Sequence, residues 1–528
     1  MSAPRGQGVK PLHAWFLDGL AVNPDGPALR LNGRSWTYTE LHRAACDWAG
    51  ALIAGCGGRP RRVGVLASKT EEAYLGFLAA LYAGATAVPL GPEYPVERNR
   101  AVVAAAGLDA IVVDPAGAAQ VADLAAAAPV RVCLTGSAEV AAALRESAAL
   151  DGAAVVTPDG STPAEPLNDG VDRLAYILFT SGSTGLPKGV PIRHGNIGAF
   201  LTAVLPRYQI GPRDVFSQVY ELTFDLSMFE VWAAWASGAC LTVLNRVQAL
   251  APERVAVRQG ITFWTSTPSL AAAVQSRGVL PAGALPGLRY TMFCGEPLPV
   301  ETARHWSSLA PNAVIDNLYG PTELAVACTG HRLDPADAAG PDRAVPIGRP
   351  FPGVRHLLLE DGEVSGTVGE LCVAGPQRFD GYLDPANDAG RFVDLDGERW
   401  YRTGDRVRQD GAGLVHLGRT DGQVKVRGYR IEVGEVERAV RRAVPGLDAA
   451  VFAVPGPGGE VLAGFVIGRA ELDAAAVLKQ LAELLPPYML PGQLWPLAAA
   501  PLNPNGKIDR MALREEAVRR LAGPHRPA

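Results

Sequence analysis

The chain has 528 residues, of which 48% are apolar, so it exceeds one ordinary hydrophobic core and two or more domains are expected. A net charge of −5, from 49 basic and 54 acidic residues, argues against general nucleic-acid binding, and no apolar run is long enough to predict a membrane span. Seven scattered cysteines do not indicate a disulfide framework or zinc spacing, and together with the lack of a signal-peptide pattern they favour a cytoplasmic protein.

The first 170 residues alternate helical patterns, such as 71–83, with short apolar strands at 63–67, 87–90 and 110–114. This rhythm predicts a mostly parallel sheet and continues to about residue 330. Residues 118–149 are rich in alanine, and their periodic Val and Leu predict ordinary surface helices. From 348 to 417 short strands alternate with Asp-Gly turns, which indicates a β-rich subdomain. The last hundred residues suggest a small α+β unit.

A glycine- and hydroxyl-rich segment, residues 180–189 with the sequence TSGSTGLPKG, follows a predicted buried strand at 174–179. Glycine lets backbone N–H groups approach an anion, and hydroxyls and a lysine add further donors and charge, so the segment predicts a polyphosphate site. Its spacing is not that of a Walker A loop. It resembles the phosphate-binding signature of the adenylate-forming superfamily, which includes acyl-CoA synthetases, luciferases and nonribosomal peptide synthetase adenylation domains. The residues implied are Thr180, Ser181, Gly182, Ser183, Thr184, Gly185 and Lys188.

Further segments match the same superfamily in order, over about residues 25–515. Each segment alone would also fit an ordinary turn. The resemblance implies ATP and Mg²⁺ as cofactors. It implies an adenine site at Asn317, Leu318, Tyr319, Gly320 and Thr322, walled by Gly295, Glu296 and Pro297, and ribose binding by Asp405 with Arg419 also reaching the nucleotide. Glu323, a hard oxygen ligand, and Thr184 would hold Mg²⁺.

The resemblance also implies the domain organisation. The α/β fold would comprise an N-terminal core at 1–418, whose β-rich subdomain lies at about 340–418, a hinge at 419–421 around Asp421, and a mobile C-terminal domain at 422–528. Lys507, in the segment Pro-Asn-Gly-Lys-Ile-Asp, would bridge the substrate carboxylate and the nucleotide and offset the repulsion between them. No domain is expected after residue 528, so a carrier protein would be a separate chain.

The segment Phe224-Asp225-Leu226-Ser227 indicates the substrate class. In amino-acid-activating members the aspartate of this pair binds the α-ammonium, and an unpaired carboxylate in an apolar stretch would be costly. A helix N-cap is the other interpretation of Asp225. The remaining pocket positions carry over to Leu226, Phe229, Thr265, Met292, Cys294, Leu318, Val326 and Ala327. Such a filled pocket predicts a small neutral amino acid, alanine before glycine or serine, with modest discrimination.

The closest family resemblance is to D-alanine–carrier protein ligase, and Cys294 matches the cysteine beside the substrate Cα there. Residues 218–223 depart from that pattern, so a secondary-metabolite pathway is as plausible as teichoic-acid charging, and D and L remain open. We predict activation of the amino acid as aminoacyl-AMP and transfer to the phosphopantetheine thiol of a separate carrier protein. Transfer to an amine on a carrier-bound aminoacyl group, an acyl-CoA synthetase using free CoA, and a non-catalytic nucleotide-binding scaffold are the alternatives.

Overall fold

The computed structural model describes residues 8–128, 130–147, 150, 153–168, 170–182, 185–278, 280–334, 344–411, 413–456, 459–501 and 508–522. The helices in these ranges are α1 Leu12–Val22, α2 Tyr38–Gly55, α3 Glu71–Tyr82, α4 Val96–Ala106, α5 Val121–Ala127, α6 Ala138–Glu146, α7 His194–Val204, α8 Leu226–Ala236, α9 Arg246–Ala249, α10 Pro252–Gln259, α11 Pro268–Ser276, α12 Val300–Leu309, α13 Val433–Ala443, α14 Ala474–Ala482 and α15 Arg510–Ala522. The strands are β1 Pro27–Leu31, β2 Arg34–Thr37, β3 Arg62–Leu66, β4 Thr86–Leu90, β5 Ala110–Val113, β6 Val132–Leu134, β7 Ala154–Val156, β8 Leu174–Thr180, β9 Lys188–Arg193, β10 Val215–Gln218, β11 Cys240–Val243, β12 Phe263–Ser266, β13 Tyr290–Phe293, β14 Val314–Tyr319, β15 Thr329–Arg332, β16 Arg349–Pro350, β17 Arg355–Glu360, β18 Glu363–Ser365, β19 Val368–Ala374, β20 Phe392–Leu395, β21 Glu398–Asp410, β22 Gly413–Arg419, β23 Gln423–Val426, β24 Tyr429–Glu432, β25 Asp448–Gly456, β26 Gly459–Ile467 and β27 Gln493–Leu497.

The first large sheet has the strand order β7-β6-β5-β3-β4-β8-β9. Its strands pair in parallel except for β9, which returns antiparallel to β8. Because β8 ends at Thr180, the glycine-rich segment leaves the sheet at the carboxyl end of a strand, as the sequence predicts.

The expectation of helices alone over 118–149 is wrong, because β6 lies within that stretch between β5 and β7. Its three residues, Val-Cys-Leu, are fully buried. A strand this short between alanine-rich helices has too few residues to show a period of two.

The second large sheet has the order β16-β15-β14-β13-β12-β10-β11-β1-β2 and is parallel from β14 to β1. Helix α3 packs on the first sheet and α8 on the second. Almost every residue of these two helices is buried, as expected of helices that are apolar all round. Residues of both sheets, α1, α2, α3 and α8 share the largest buried cluster, so the main core lies between the two sheets.

The β-rich part is an antiparallel sheet of β17 to β22. Two of the predicted Asp-Gly turns join its strands, with φ of 53° and 87° at Asp361 and Gly362 and of 53° and 75° at Asp396 and Gly397. Positive φ at both central residues is the geometry that favours Asp-Gly in tight hairpins.

The C-terminal part begins with the hairpin β23–β24 and contains the three-stranded sheet β25-β26-β27. Alternate residues of β25 belong to two separate clusters, so the two faces of this sheet are both covered. The hairpin, α13 and α14 cover one face, and α15 covers the other. The predicted α/β class, with a large N-terminal and a small C-terminal unit, is confirmed. None of the helices in the described ranges combines the length and apolar character that a membrane span requires.

Candidate active site

Three neighbouring strands bring predicted pocket residues together at one edge of the second sheet. Thr265 on β12 is in register with Met292 on β13, and the next pair along, Phe293 and Asn317, joins β13 to β14. Ligands of open α/β sheets bind outside the carboxyl ends of the strands. This edge is therefore the expected place for a site.

The residues predicted to line the amino-acid pocket are all buried, and apart from Asp225 no more than 2% of any of them is exposed. The apolar ones share a single cluster: Leu226, Phe229, Met292, Cys294, Leu318, Val326 and Ala327. Thr265 adds a buried hydroxyl that has no hydrogen-bond partner among the described residues. The walls therefore offer one unsatisfied polar atom within otherwise apolar surroundings.

The chain after β14 turns back tightly over this edge. A Cβ on Gly320 would lie 2.5 Å from the Cα of Ala327, so only glycine allows this approach. Val326 has a φ of 82°, which is strained for a β-branched residue. Such strain is found at ligand sites more often than elsewhere. Here the strained residue lies beside the predicted pocket.

Asp225 lies immediately before α8 and accepts a 2.7 Å hydrogen bond from the Thr322 hydroxyl. It occupies the N-cap position, but its side chain makes no capping hydrogen bond. Asp225 is 9% exposed. Burial raises the pKa of its carboxyl to about 6, although the Thr322 hydrogen bond and the Lys425 ammonium partly offset this effect. A carboxylate kept in such a place is suited to a cationic ligand.

Asp405, the predicted ribose ligand, is buried at the centre of a hydrogen-bond network. Tyr319 donates its hydroxyl at 2.7 Å, Arg419 donates from Nη1 at 2.7 Å, and His416 lies 3.1 Å away. Burial opposes the negative charge, but the His416 hydrogen bond and the Arg419 and Lys425 charges outweigh it and hold the pKa of Asp405 well below its usual range. Asp405 is thus an ionised acceptor beside the Tyr319 ring.

Glu323, the predicted Mg²⁺ ligand, is 1% exposed. Arg430 from β24 donates to both carboxylate oxygens, at 3.1 and 3.0 Å, and Tyr382 donates its hydroxyl at 2.5 Å. Burial raises the pKa of Glu323, but the Arg430 charge and the hydrogen bonds to the carboxylate, that from Tyr382 first, together outweigh burial and leave the pKa lowered. A buried, ionised carboxylate fits Mg²⁺, which binds through one or two carboxylates plus substrate phosphates.

The described part of the glycine-rich segment contacts the C-terminal residues. Ser181 donates from Oγ to the carbonyl of Arg430 at 2.8 Å, and the Gly182 amide donates to Glu435 at 3.1 Å. The Lys188 ammonium lies 3.5 Å from Glu432. Ser183 and Thr184 lie outside the described residues. Gly185 has a φ of 88°, a conformation that favours glycine.

Two other predicted nucleotide residues bind protein groups. Glu296 accepts from the amides of Ser269 at 2.9 Å and Gly428 at 2.7 Å, next to Pro297 and to Gly295, whose φ is 96°. Asn317 donates to the carbonyl of Pro346 at 2.9 Å. Both side chains therefore shape the backbone around the site.

Asp421, the predicted hinge residue, accepts from Arg419 at 2.8 Å and from Arg391 at 3.3 Å. It stands between β22 and β23, where the antiparallel sheet gives way to the C-terminal hairpin. Lys507 lies outside the described residues. Its neighbour Ile508 packs against the α15 face of the C-terminal sheet.

Residues 16–383 match the family model of the AMP-binding enzymes, and residues 435–507 match that of the AMP-binding enzyme C-terminal domain. The chain is a member of the AMP-binding enzyme family. The resemblance to adenylate-forming ligases is thereby confirmed.

This AMP-binding enzyme is similar over nearly its whole length to one curated protein and to two solved structures. It is 36% identical over 517 residues to phosphinothricin tripeptide synthetase PhsC of Streptomyces viridochromogenes, covering 95% of this chain and 45% of PhsC, so the chain spans less than half of that relative. The crystal structure of IdnL7 shares 40% identity and a TM-score of 0.74, with 97% of this chain and 99% of that one covered. The Vibrio cholerae adenylation domain AlmE, solved with glycyl-adenosine-5′-phosphate, shares 28% identity and a TM-score of 0.86, covering 98% and 99%.

In this AMP-binding enzyme a cavity of about 690 Å³ lies between the C-terminal residues Arg427, Tyr429 and Tyr488 and the N-terminal part. Its walls include Thr267, two residues after the pocket residue Thr265, and the carboxylates Glu93 and Glu221. The rings of Tyr429 and Tyr488 stack at 4.0 Å. The cavity is large enough for an extended acceptor group.

Sequence reasoning missed the side chains by which the C-terminal hairpin and α13 reach the site of this AMP-binding enzyme. The Lys425 ammonium lies 5.4 Å from the centre of the Tyr319 ring, Arg430 binds Glu323, and Glu432 and Glu435 bind the glycine-rich segment. The sequence signals were the resemblance of residues 423–432 to the start of the mobile C-terminal domain and the charged character of residues 425–437, and neither says which residues these side chains contact.

Proposed function

We propose that this protein activates a small neutral amino acid, alanine before glycine or serine, as aminoacyl-AMP. It then transfers the aminoacyl group to the phosphopantetheine thiol of a separate carrier protein. The observation that carries this proposal is the Asp225 carboxylate, which is buried beside an apolar pocket and hydrogen-bonded by Thr322. The α-ammonium of an amino acid would supply the charge that compensates it. AlmE, solved with glycyl-adenosine-5′-phosphate, supports a small substrate.

The proposed nucleotide site uses residues from both parts of the chain. The Tyr319 ring would stack on adenine, Asp405 and Arg419 would bind the ribose, and the segment from Thr180 to Lys188 would bind the phosphates. Glu323 and Thr184 would hold Mg²⁺, which neutralises charge on the phosphates. Lys507 would bring the amino-acid carboxylate to the α-phosphate, after which pyrophosphate leaves.

The transfer step would use the arrangement seen here. The cavity beside Thr267 would admit the acceptor arm, and the thiol would attack the carbonyl of the aminoacyl-AMP, lose its proton and release AMP. Ile508, the residue after Lys507, packs on one face of the C-terminal sheet, and the hairpin that contacts the site packs on the other. A rotation of the C-terminal domain about Asp421 would therefore exchange Lys507 for the hairpin between the two steps.

The assay that tests the proposal is amino-acid-dependent ATP–pyrophosphate exchange with the twenty L-amino acids, D-alanine and several β-amino acids. We expect exchange with alanine and weaker exchange with glycine and serine, because one methylene discriminates by only about 1–3 kcal/mol. Exchange with fatty or aromatic acids alone would contradict the proposed role of Asp225.

The titration of Asp225 predicts a pH dependence. The carboxylate binds an ammonium only when ionised, so kcat/KM for alanine should fall as the pH drops below about 6. Thr322→Val removes the hydrogen bond that lowers this pKa, so the fall should begin at a higher pH. Comparing the two profiles cancels the titration of ATP itself. Identical profiles, or a fall that persists unchanged in Asp225→Asn, would assign the pH effect to another group.

Transfer to an amine is the second candidate, favoured by the carboxylate of Glu93 in the cavity wall, where the second carboxylate, Glu221, pairs with Lys69 at 3.7 Å. The thiol end of the arm is neutral and gains nothing from a nearby anion, whereas an aminoacyl acceptor arrives as an ammonium that must lose a proton. Mass spectrometry of the product distinguishes the two acceptors. Loading of a holo-carrier protein supports the thiol, and loading only of an aminoacylated carrier supports the amine.

A further inference from the structure

Three charged side chains of the C-terminal part mirror the charges of MgATP, and a fourth, Arg438, donates to the Gly182 carbonyl at 3.3 Å. Carboxylates of Glu432 and Glu435 face the donors Lys188 and Gly182 of the glycine-rich segment, at 3.5 and 3.1 Å. The Arg430 guanidinium faces Glu323 at 3.0 Å. Anions thus meet the groups proposed to bind phosphate, and a cation meets the group proposed to bind Mg²⁺.

Glu435 is held in place by an arginine on α4. Arg98 on α4 donates from Nη1 to Glu435 at 2.8 Å, and the two side chains are 6% and 5% exposed. Arg98 also donates to the Tyr488 hydroxyl at 3.4 Å. The other Glu435 oxygen accepts from Gly182, so one carboxylate joins α4, α13 and the glycine-rich segment.

We propose that Arg98 and Glu435 are positioning residues for the transfer step, and that Glu435 takes the place of a triphosphate oxygen on the Gly182 amide. The arrangement seen here, in which the C-terminal part contacts Gly182, Lys188 and Glu323, is the closed arrangement. It and bound MgATP then exclude each other, because both need the same groups. The inference rests on the proposed function, in which ATP binds this segment and transfer uses the closed arrangement. It adds a competition between the C-terminal domain and the nucleotide.

The competition predicts opposite effects on the two steps. Without the Arg98–Glu435 pair, a smaller fraction of the protein is closed and the ATP site is open in a larger fraction. The KM for ATP therefore falls, by about threefold or more if the closed form predominates. Transfer from preformed aminoacyl-AMP slows by about tenfold or more, because a buried charge pair that stabilises the closed form is lost.

The experiment compares Arg98→Met and Glu435→Gln with Arg100→Met. Arg100 lies on the same helix and pairs with Glu97 with 38% of its side chain exposed, so its substitution should change neither step. The KM for ATP comes from pyrophosphate exchange, and single-turnover transfer is measured with preformed aminoacyl-AMP. Unchanged values in both test variants, or equal losses in both steps, would overturn the proposal, since a purely structural role cannot lower the KM for ATP.

A measurement on the wild-type protein tests the same proposal if the variants do not fold. A non-hydrolysable MgATP analogue should increase amide hydrogen exchange in α13, because Glu435 leaves the Gly182 amide. Unchanged or decreased exchange with the analogue bound would overturn the competition. This readout needs no amino acid, so a lack of activity with every acid tested would overturn the proposed function and leave this result intact.

Discussion

Asp225→Ala should lower kcat/KM for alanine in pyrophosphate exchange by two to three orders of magnitude. The variant removes the only carboxylate proposed to hold the substrate ammonium, and loss of one partner of a buried charge pair costs about 3–5 kcal/mol. Each 1.4 kcal/mol is a factor of about ten. Thermal unfolding should show a folded variant, because the wild-type carboxylate is itself costly to bury.

The matched substrate for this variant is propionate, which is alanine without the amino group. The wild type should prefer alanine strongly over propionate, because the bare carboxylate of Asp225 remains unpaired with propionate bound. Asp225→Ala should reduce or reverse that preference. A variant that keeps the wild-type preference would show that the ammonium is bound elsewhere.

Lys507→Ala should reduce adenylation by more than a hundredfold and leave transfer from preformed aminoacyl-AMP close to the wild-type rate. The ammonium would offset repulsion between the substrate carboxylate and the α-phosphate, and removal of one such electrostatic group typically costs about a hundredfold or more. Single-turnover assays of the two steps measure this difference.

Lys479 provides the matched control for Lys507. It is an exposed lysine on α14 of the same C-terminal part, so Lys479→Ala should leave both steps unchanged. Equal loss of both steps in Lys507→Ala would contradict the exchange of Lys507 for the hairpin by domain rotation.

Local sequence patterns predicted the elements that carry their own signal. The apolar strand at 174–179 is β8, the helical pattern at 71–83 is α3, and the Asp-Gly pairs at 361 and 396 form tight turns. Strand β6 was missed because three residues carry no period. Its assignment depends on pairing with β5 and β7, and that pairing is a property of the whole sheet.

The site was predictable only where one segment supplies a recognisable arrangement. Residues 180–188 and 317–323 stand out because glycines, hydroxyls and a carboxylate occur at fixed spacing. The hydrogen bond from Thr322 to Asp225 and the ion pair of Arg98 with Glu435 join residues 97 and 337 positions apart. Such contacts are decided by how the sheets and the C-terminal part pack, which no local pattern records.

The most direct test of the account is a crystal structure of the protein with a non-hydrolysable alanyl-adenylate analogue. The account predicts that a carboxylate oxygen of Asp225 lies within hydrogen-bond distance of the analogue's amino nitrogen, with the alanyl methyl group against Met292 and Val326. An amino nitrogen bound by other groups, with Asp225 turned to its own backbone, would contradict the assignment of a small amino acid as substrate.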